Sequence, residues 1–162
     1  MPEEETHQKS LARVVMSGDM DKLFGAFIIA NGAAAIGMDV TMFFTFWGLR
    51  AIKKDVRTGK TFFGRMLGTM YGGDIMKANP SKFSFGGMGR WMFGKMMGSH
   101  NVQKLTEMRD LAVELGVNMY GCQMSMDVME IPQESFIDGV KDPVGVGFFI
   151  LKAQTAEIQL FI

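Results

Sequence analysis

The run Val40–Phe46 (V-T-M-F-F-T-F) limits the folds open to this chain more than any other stretch. It is dominated by β-branched and aromatic residues and shows no alternation with charged ones. Such a strand is apolar on both faces, which suits a parallel sheet covered by helices on each side. The residues before it fit the same scheme. Leu11–Met16 reads as a first strand, and Ser17-Gly18-Asp19 as a tight turn rich in small and capping residues. A helix is expected from about Met20 to Gly37, with Leu23, Phe24, Phe27, Ile28 and Ala34 among its apolar positions and Gly37 as its stop. Strand, helix, strand in that order implies a parallel pair joined by a right-handed crossover.

Leu23–Leu49 is also long and apolar enough to invite a membrane-spanning reading, with Asp39 as its only charge. Asn31 and Asp39 interrupt it, Gly32 and Gly37 weaken a continuous helix, and the pattern turns strand-like at Met38. A βαβ core accounts for the same residues without placing a carboxylate in lipid. The expectation is a globular domain with no span.

At 162 residues the chain is read as a single domain, 1–162, with Met1–Ser10 as a polar, acidic, frayed tail lacking the order of a signal peptide. Basic and acidic side chains balance at 17 each, and no polybasic stripe suggests nucleic acid. Residues 55–99 stand apart. They hold half of the 20 glycines, many of the 17 methionines, seven aromatic residues, and the interleaved cations Lys60, Arg65, Lys77, Lys82, Arg90 and Lys95. A structureless loop of that length is improbable in a compact domain, so short helices are expected at Phe62–Tyr71 and Met88–Met97. An insertion of this kind suits a subunit interface, a lid over a site or a membrane surface. Its glycines form neither a dinucleotide fingerprint nor a phosphate-binding loop.

Past the insertion, Gly48–Lys54 having read as a helical turn before it, Asn101–Leu115 has helical apolar spacing, with Asn101 as cap and Gly116 as stop. A strand follows at Val117–Gly121, then Cys122 opening a helix, a turn after Pro132, and a short strand at Phe136–Val140. Lys141-Asp142-Pro143 reads as a turn, Val144–Thr155 as a helix and Glu157–Ile162 as a last strand. The sum is a doubly wound α/β sheet of about five strands, mostly parallel, carrying a Gly/Met-rich insertion.

Cys122 is the only cysteine in the chain, which excludes an intramolecular disulfide and any paired-cysteine motif and fits a reducing, cytoplasmic setting. With only His7 and His100 as histidines, a Cys/His zinc site lacks ligands, and the methionines lack the clustering of a copper site. No cofactor is implied. A thiol where a strand gives way to a helix meets unpaired backbone N–H groups and the positive end of the helix, which favour thiolate; the alternative is a small buried hydrophobe. Open α/β sheets place their sites at this edge.

The segment Y-G-C-Q-M-S-M-D-V-M at Tyr120–Met129 resembles the cysteine segment of DsrE/DsrF-like proteins, more closely the DsrE-like branch often labelled peroxiredoxin-family in archaea and sulfur-oxidising bacteria. The similarity extends through A-A-A-I-G-M-D-V-T-M-F-F-T-F-W-G-L at Ala33–Leu49, the long insertion and the E-I-Q-L-F-I ending. The resemblance implies a flavodoxin-like fold, a homo-oligomer, and a sulfur carrier or sulfurtransferase that holds sulfane sulfur on Cys122 as a persulfide or thiosulfonate. It implies a TusA-like protein or a heterodisulfide-reductase-like complex as partner. Some relatives have a second cysteine; its absence here favours handing sulfur between proteins. Gln123, Met124 and Ser125, at the following helix start, are candidates for stabilising the sulfur anion, with capping an alternative role for Ser125 and Asp127. Ser17 and Gly18 can reach the same edge, Trp47 can wall a pocket, and cations of the insertion can steer an anionic donor such as thiosulfate. The competing function is a binding or scaffold module that uses 55–99 to contact a protein complex or a membrane surface. A thiol peroxidase ranks last, because no Pro-x-x-x-Thr-x-x-Cys motif precedes Cys122.

Overall fold

The structure is a computed structural model that describes residues 8–162, so His7 and most of the expected tail lie outside it. The first strand, β1, is Ser10–Val15, and a helix, α1, covers Met20–Ala35. β2 follows at Asp39–Phe44, then a 3₁₀ turn at Phe46–Ile52. Helices α2 (Phe62–Met70) and α3 (Met88–Ser99) lie within 55–99, where the sequence places them. Next come α4 (Leu105–Glu114), β3 (Asn118–Cys122) and α5 (Gln123–Met129). β4 (Lys141–Val144), α6 (Val146–Gln154) and β5 (Ile158–Phe161) end the chain.

The five strands among the described residues are all parallel, in the order β4-β3-β2-β1-β5. Alternation along the strands separates two cores. Leu11, Val15, Val40, Met42, Phe44 and Met119 face one side and pack with α1, α4 and α5 into the larger. Ala12, Phe43 and Cys122 face the other side and pack with Phe149 and Ala153 of α6. Among the described residues no helix is long and apolar enough to cross a membrane; Leu23–Leu49 is a helix, a turn and a strand.

Three sequence expectations need correction. Phe136–Val140 is not a strand: Phe136 forms only an isolated bridge to Lys53, and the strand is Lys141–Val144, the segment expected to turn. Pro143 is tolerated because β4 is an edge strand with one side unpaired. Asn101 does not cap α4; it sits in the left-handed region at φ 55° just past α3, and α4 starts four residues later. There the Glu107 carboxylate accepts the Lys104 N–H at 2.9 Å.

The insertion is attached in an unusual way. The only buried residues of α2 are Gly64 and Gly68, and of α3 Gly89. A Cβ on Gly68 would run into the Thr58 carbonyl, and one on Gly89 into that of Phe83. Glycine thus occupies the fully buried contact positions, Leu67 and Met97 pack half-buried against the larger core, and Phe62, Phe63, Met70 and Trp91 are left 66–80% exposed.

Candidate functional site

β3 delivers Cys122 to the carboxyl edge of the sheet, where it is also the residue that opens α5 (φ −74°, ψ 114°). Gly121 before it is required by packing: a Cβ there would meet the Phe136 ring at 2.8 Å and the Met126 sulfur at 3.1 Å. Cys122 is 4% exposed. Its cluster is made by Ala12, Phe43, Phe149 and Ala153, with Tyr120 and Val144 at the margin, and the Phe43 and Phe149 rings stack at 5.3 Å. Burial, and then the Asp39 carboxylate, push the Tyr120 phenol above its usual range, so this neighbour stays neutral at physiological pH. The thiol is covered by α6; no side chain of 55–99 belongs to its cluster. Val144 pairs with Cys122 across the ladder, so the start of α6 at Gly145-Val146 lies at the same sheet edge as the thiol.

The other sequence-predicted residues divide. Gln123 donates to the Asp127 carboxylate at 2.8 Å on the exposed face of α5, and Met124 is exposed beside Cys122 in sequence. Neither Ser125 nor Asp127 caps the helix, because Cys122 holds the cap position without a side-chain bond. Ser125 is fully buried, its hydroxyl 2.7 Å from that of Thr45, which bolts α5 to the end of β2. The Ser17 hydroxyl accepts the Asp19 N–H at 3.1 Å. β2 separates β1 from β3, which sets Ser17 and Gly18 two strand spacings, about 10 Å, along the edge from Cys122. Gly18 instead faces Trp47 and Tyr71: a Cβ would meet the Tyr71 hydroxyl and the Trp47 carbonyl. Trp47 and Tyr71 pack edge to face at 4.6 Å, and the Arg50 guanidinium lies over the Tyr71 ring at 3.6 Å.

Two features escape sequence reading. One is Glu130, which closes α5 in the left-handed region (φ 51°) and reaches the start of α2. Its carboxylate accepts the N–H of Lys60, the N–H of Thr61 at 2.9 Å and the Thr61 hydroxyl at 2.5 Å, while Thr61 accepts the Gly64 N–H. The insertion is therefore tied to the far end of the helix that begins at Cys122. The other is the pair Arg50, in the 3₁₀ turn after β2, and Lys53, just past its end, at 7% and 3% exposed. Among the described residues no three His, Cys, Asp or Glu side chains converge as a metal-ligand set.

A profile described as the DsrE/DsrF/DrsH-like family matches residues 7–161. The chain belongs to this family. Among curated relatives, the uncharacterized protein YrkE of Bacillus subtilis is 38% identical over 151 residues, covering 92% of this chain and 94% of its own length. The sulfur carrier protein DsrE2 of Allochromatium vinosum is 34% identical over 172 residues, covering 96% of this chain and 99% of its own. Among solved structures the ychN protein from E. coli superposes with a TM-score of 0.56 over 96% of this chain and all of that one; at 12% identity the likeness speaks to the DsrE-like fold alone.

Proposed function

We propose that this protein is a sulfur carrier of sulfur metabolism, cytoplasmic, that holds sulfane sulfur or a thiosulfonate on Cys122 and passes it to a partner protein. What carries the reading is the alignment over nearly the whole chain with a relative named as a sulfur carrier, joined to a lone cysteine at the sheet edge. In the step itself the Cys122 thiolate attacks the outer sulfur of a donor persulfide, R–S–S⁻. The donor S–S bond breaks, its electron pair leaves on R–S⁻, and Cys122–S–S⁻ forms with no net oxidation. With tetrathionate, attack on an inner sulfur leaves Cys122–S–S–SO₃⁻ and releases thiosulfate. Onward delivery repeats the exchange on the thiol of an acceptor, either a TusA-like protein or a heterodisulfide-reductase-like complex. Gln123 and Met124 are the exposed residues beside the thiol; Ser125 acts through its bond to Thr45, and Ser17 and Gly18 form the distant rim of the same edge.

Burial adds a requirement. At 4% exposure the thiol reacts only when its cover opens locally, and the start of α6, with Gly145 and Gly147 both free of neighbours at the Cβ position, is the segment that yields. The test is intact-protein mass spectrometry after exposure to polysulfide or tetrathionate, with Cys122→Ser as control. A reducible gain of sulfur or thiosulfonate in the wild type alone is the expected result. No gain under conditions in which an alkylating reagent does reach Cys122 defeats the proposal.

The exposed Phe62, Phe63, Phe83, Phe85 and Trp91 support a second reading, a docking module for a protein complex or a membrane surface through 55–99. It predicts that Cys122→Ser leaves partner binding and cellular function intact.

A further inference from the structure

Buried cations without carboxylates opposite them are expensive, because the desolvation cost is met by nothing nearby. Two such groups sit three residues apart. Arg50 donates only to backbone carbonyls, to Tyr71 at 3.0 Å and Lys77 at 3.4 Å, and its Nε is buried with no partner among the described residues. The Lys53 ammonium has no hydrogen bond or ion pair among the described residues, and burial, then repulsion from Arg50, lowers its pKa.

Arg50 is also the floor of a cleft of about 510 Å³ between the 3₁₀ turn and the insertion. Arg57, Lys77 and Arg90 complete the basic lining, with Asp55 as the one acidic side chain in it, and that carboxylate is taken by Lys77 at 2.8 Å. Arg57 is exposed and makes no side-chain bond among the described residues, while Arg90 spends one N–H on the Lys77 carbonyl. Asp19 and Asp74 act on Arg50 only at longer range. Gly68, Thr69, Met70, Gly72, Gly73 and Asn79 supply the uncharged remainder of the lining. A smaller cavity that shares Arg50, Gly68 and Gly73 opens behind it onto Lys53.

We infer that this cleft binds a small, multiply charged tetrahedral oxyanion, gripped by Arg50, Arg57 and Arg90 with Lys53 behind. Guanidinium groups present paired N–H donors that match oxyanion geometry. The recess of Arg50 admits a small anion and excludes an extended polyanion, consistent with the absence of net positive charge on the chain. Thiosulfate, sulfate and phosphate share the required chemistry. The site stands whether or not Cys122 carries sulfur.

The experiment is isothermal titration of the whole protein at low ionic strength with thiosulfate, sulfate and phosphate separately. Saturable binding of at least one is expected, weakened about tenfold or more in Arg57→Gln/Arg90→Gln, where two charge-assisted contacts are gone. Arg57→Gln alone, at an exposed side chain that holds nothing in place, gives a several-fold loss that unfolding cannot cause. Cys122→Ser binds as the wild type does. A preference for thiosulfate marks the ligand as a sulfur compound, and equal response marks a general oxyanion site; both support the inference. Absence of saturation with all three anions at millimolar concentration, undiminished binding in the double variant, or loss of binding in Cys122→Ser overturns it.

Discussion

Lys53 sits at 3% exposure, beside Arg50 and with no carboxylate at bonding distance, so its native pKa falls below the ordinary lysine range. Between that lowered native value and the ordinary one, the unfolded chain holds more protons than the native one, so native stability rises as pH rises through the window. Lys53→Met keeps the length of the stem and removes the charge. It is expected to raise stability by about 1 kcal/mol near neutral pH, because an unpaired buried charge is replaced by apolar volume. It should also abolish that alkaline slope. Urea unfolding of both proteins from neutral to alkaline pH measures the two effects, and a less stable variant with the slope retained rejects the account. The sequence could not reveal this residue, since R-A-I-K-K after an aromatic strand reads as an exposed turn and lysine is seldom buried. Cys122 was legible as the residue where strand passes to helix, with burial as the alternative to an exposed thiol; what covers it was not legible, because the cover comes from α6, more than twenty residues downstream.

Among the elements, α5 is the one through which the insertion and the cysteine communicate. Cys122 opens it, Ser125 fastens it to Thr45 of the β2 edge, and Glu130 grips the amide groups that open α2. The bonds from Thr61 and Lys60 hold the Glu130 carboxyl below the usual carboxylate range. For a lowered carboxyl the stabilisation is complete above the unfolded value and is lost as pH falls through the native one. Acidification should therefore release the start of α2. Hydrogen-exchange protection at 60–64 is expected to fall in that window for the wild type and to be low and independent of this titration in Glu130→Ala. Equal protection in the two proteins at neutral pH would remove the tether from the account. This link lies between residues 69 and 70 positions apart, so no local pattern announces it. β1, α1, β2 and β3 were legible for the opposite reason, that burial on both faces or one stripe leaves its period in the sequence. β4 was not: K-D-P-V at a sheet edge carries charges and a proline.

At the scale of the molecule the two faces of the sheet are unequally clothed. One carries α1 and α4 over the larger core; the other has α6 over the small cluster that includes the thiol. The uncovered surface on that side is apolar: Val146, Ile150 and Leu151 on the outside of α6, and Phe161 on β5, which is itself an unpaired edge. An exposed apolar patch beside an open strand edge is a surface that monomers seldom keep in water. We propose that the homo-oligomer implied by the family resemblance forms across this surface, where a second copy would extend the cover over α6. Sedimentation of the wild type is then expected to give a defined oligomer, and Leu151→Glu/Phe161→Glu, which places charge on two residues at 68% and 69% exposure, to give a folded monomer. Because both side chains point away from the core, the substitution leaves the domain's own packing alone, and a change in mass cannot be ascribed to unfolding. The same variant carries a second readout. If the interface steadies the start of α6, alkylation of Cys122 should be faster in the monomer than in the oligomer. An unchanged rate together with a changed mass would separate assembly from the gating of the thiol.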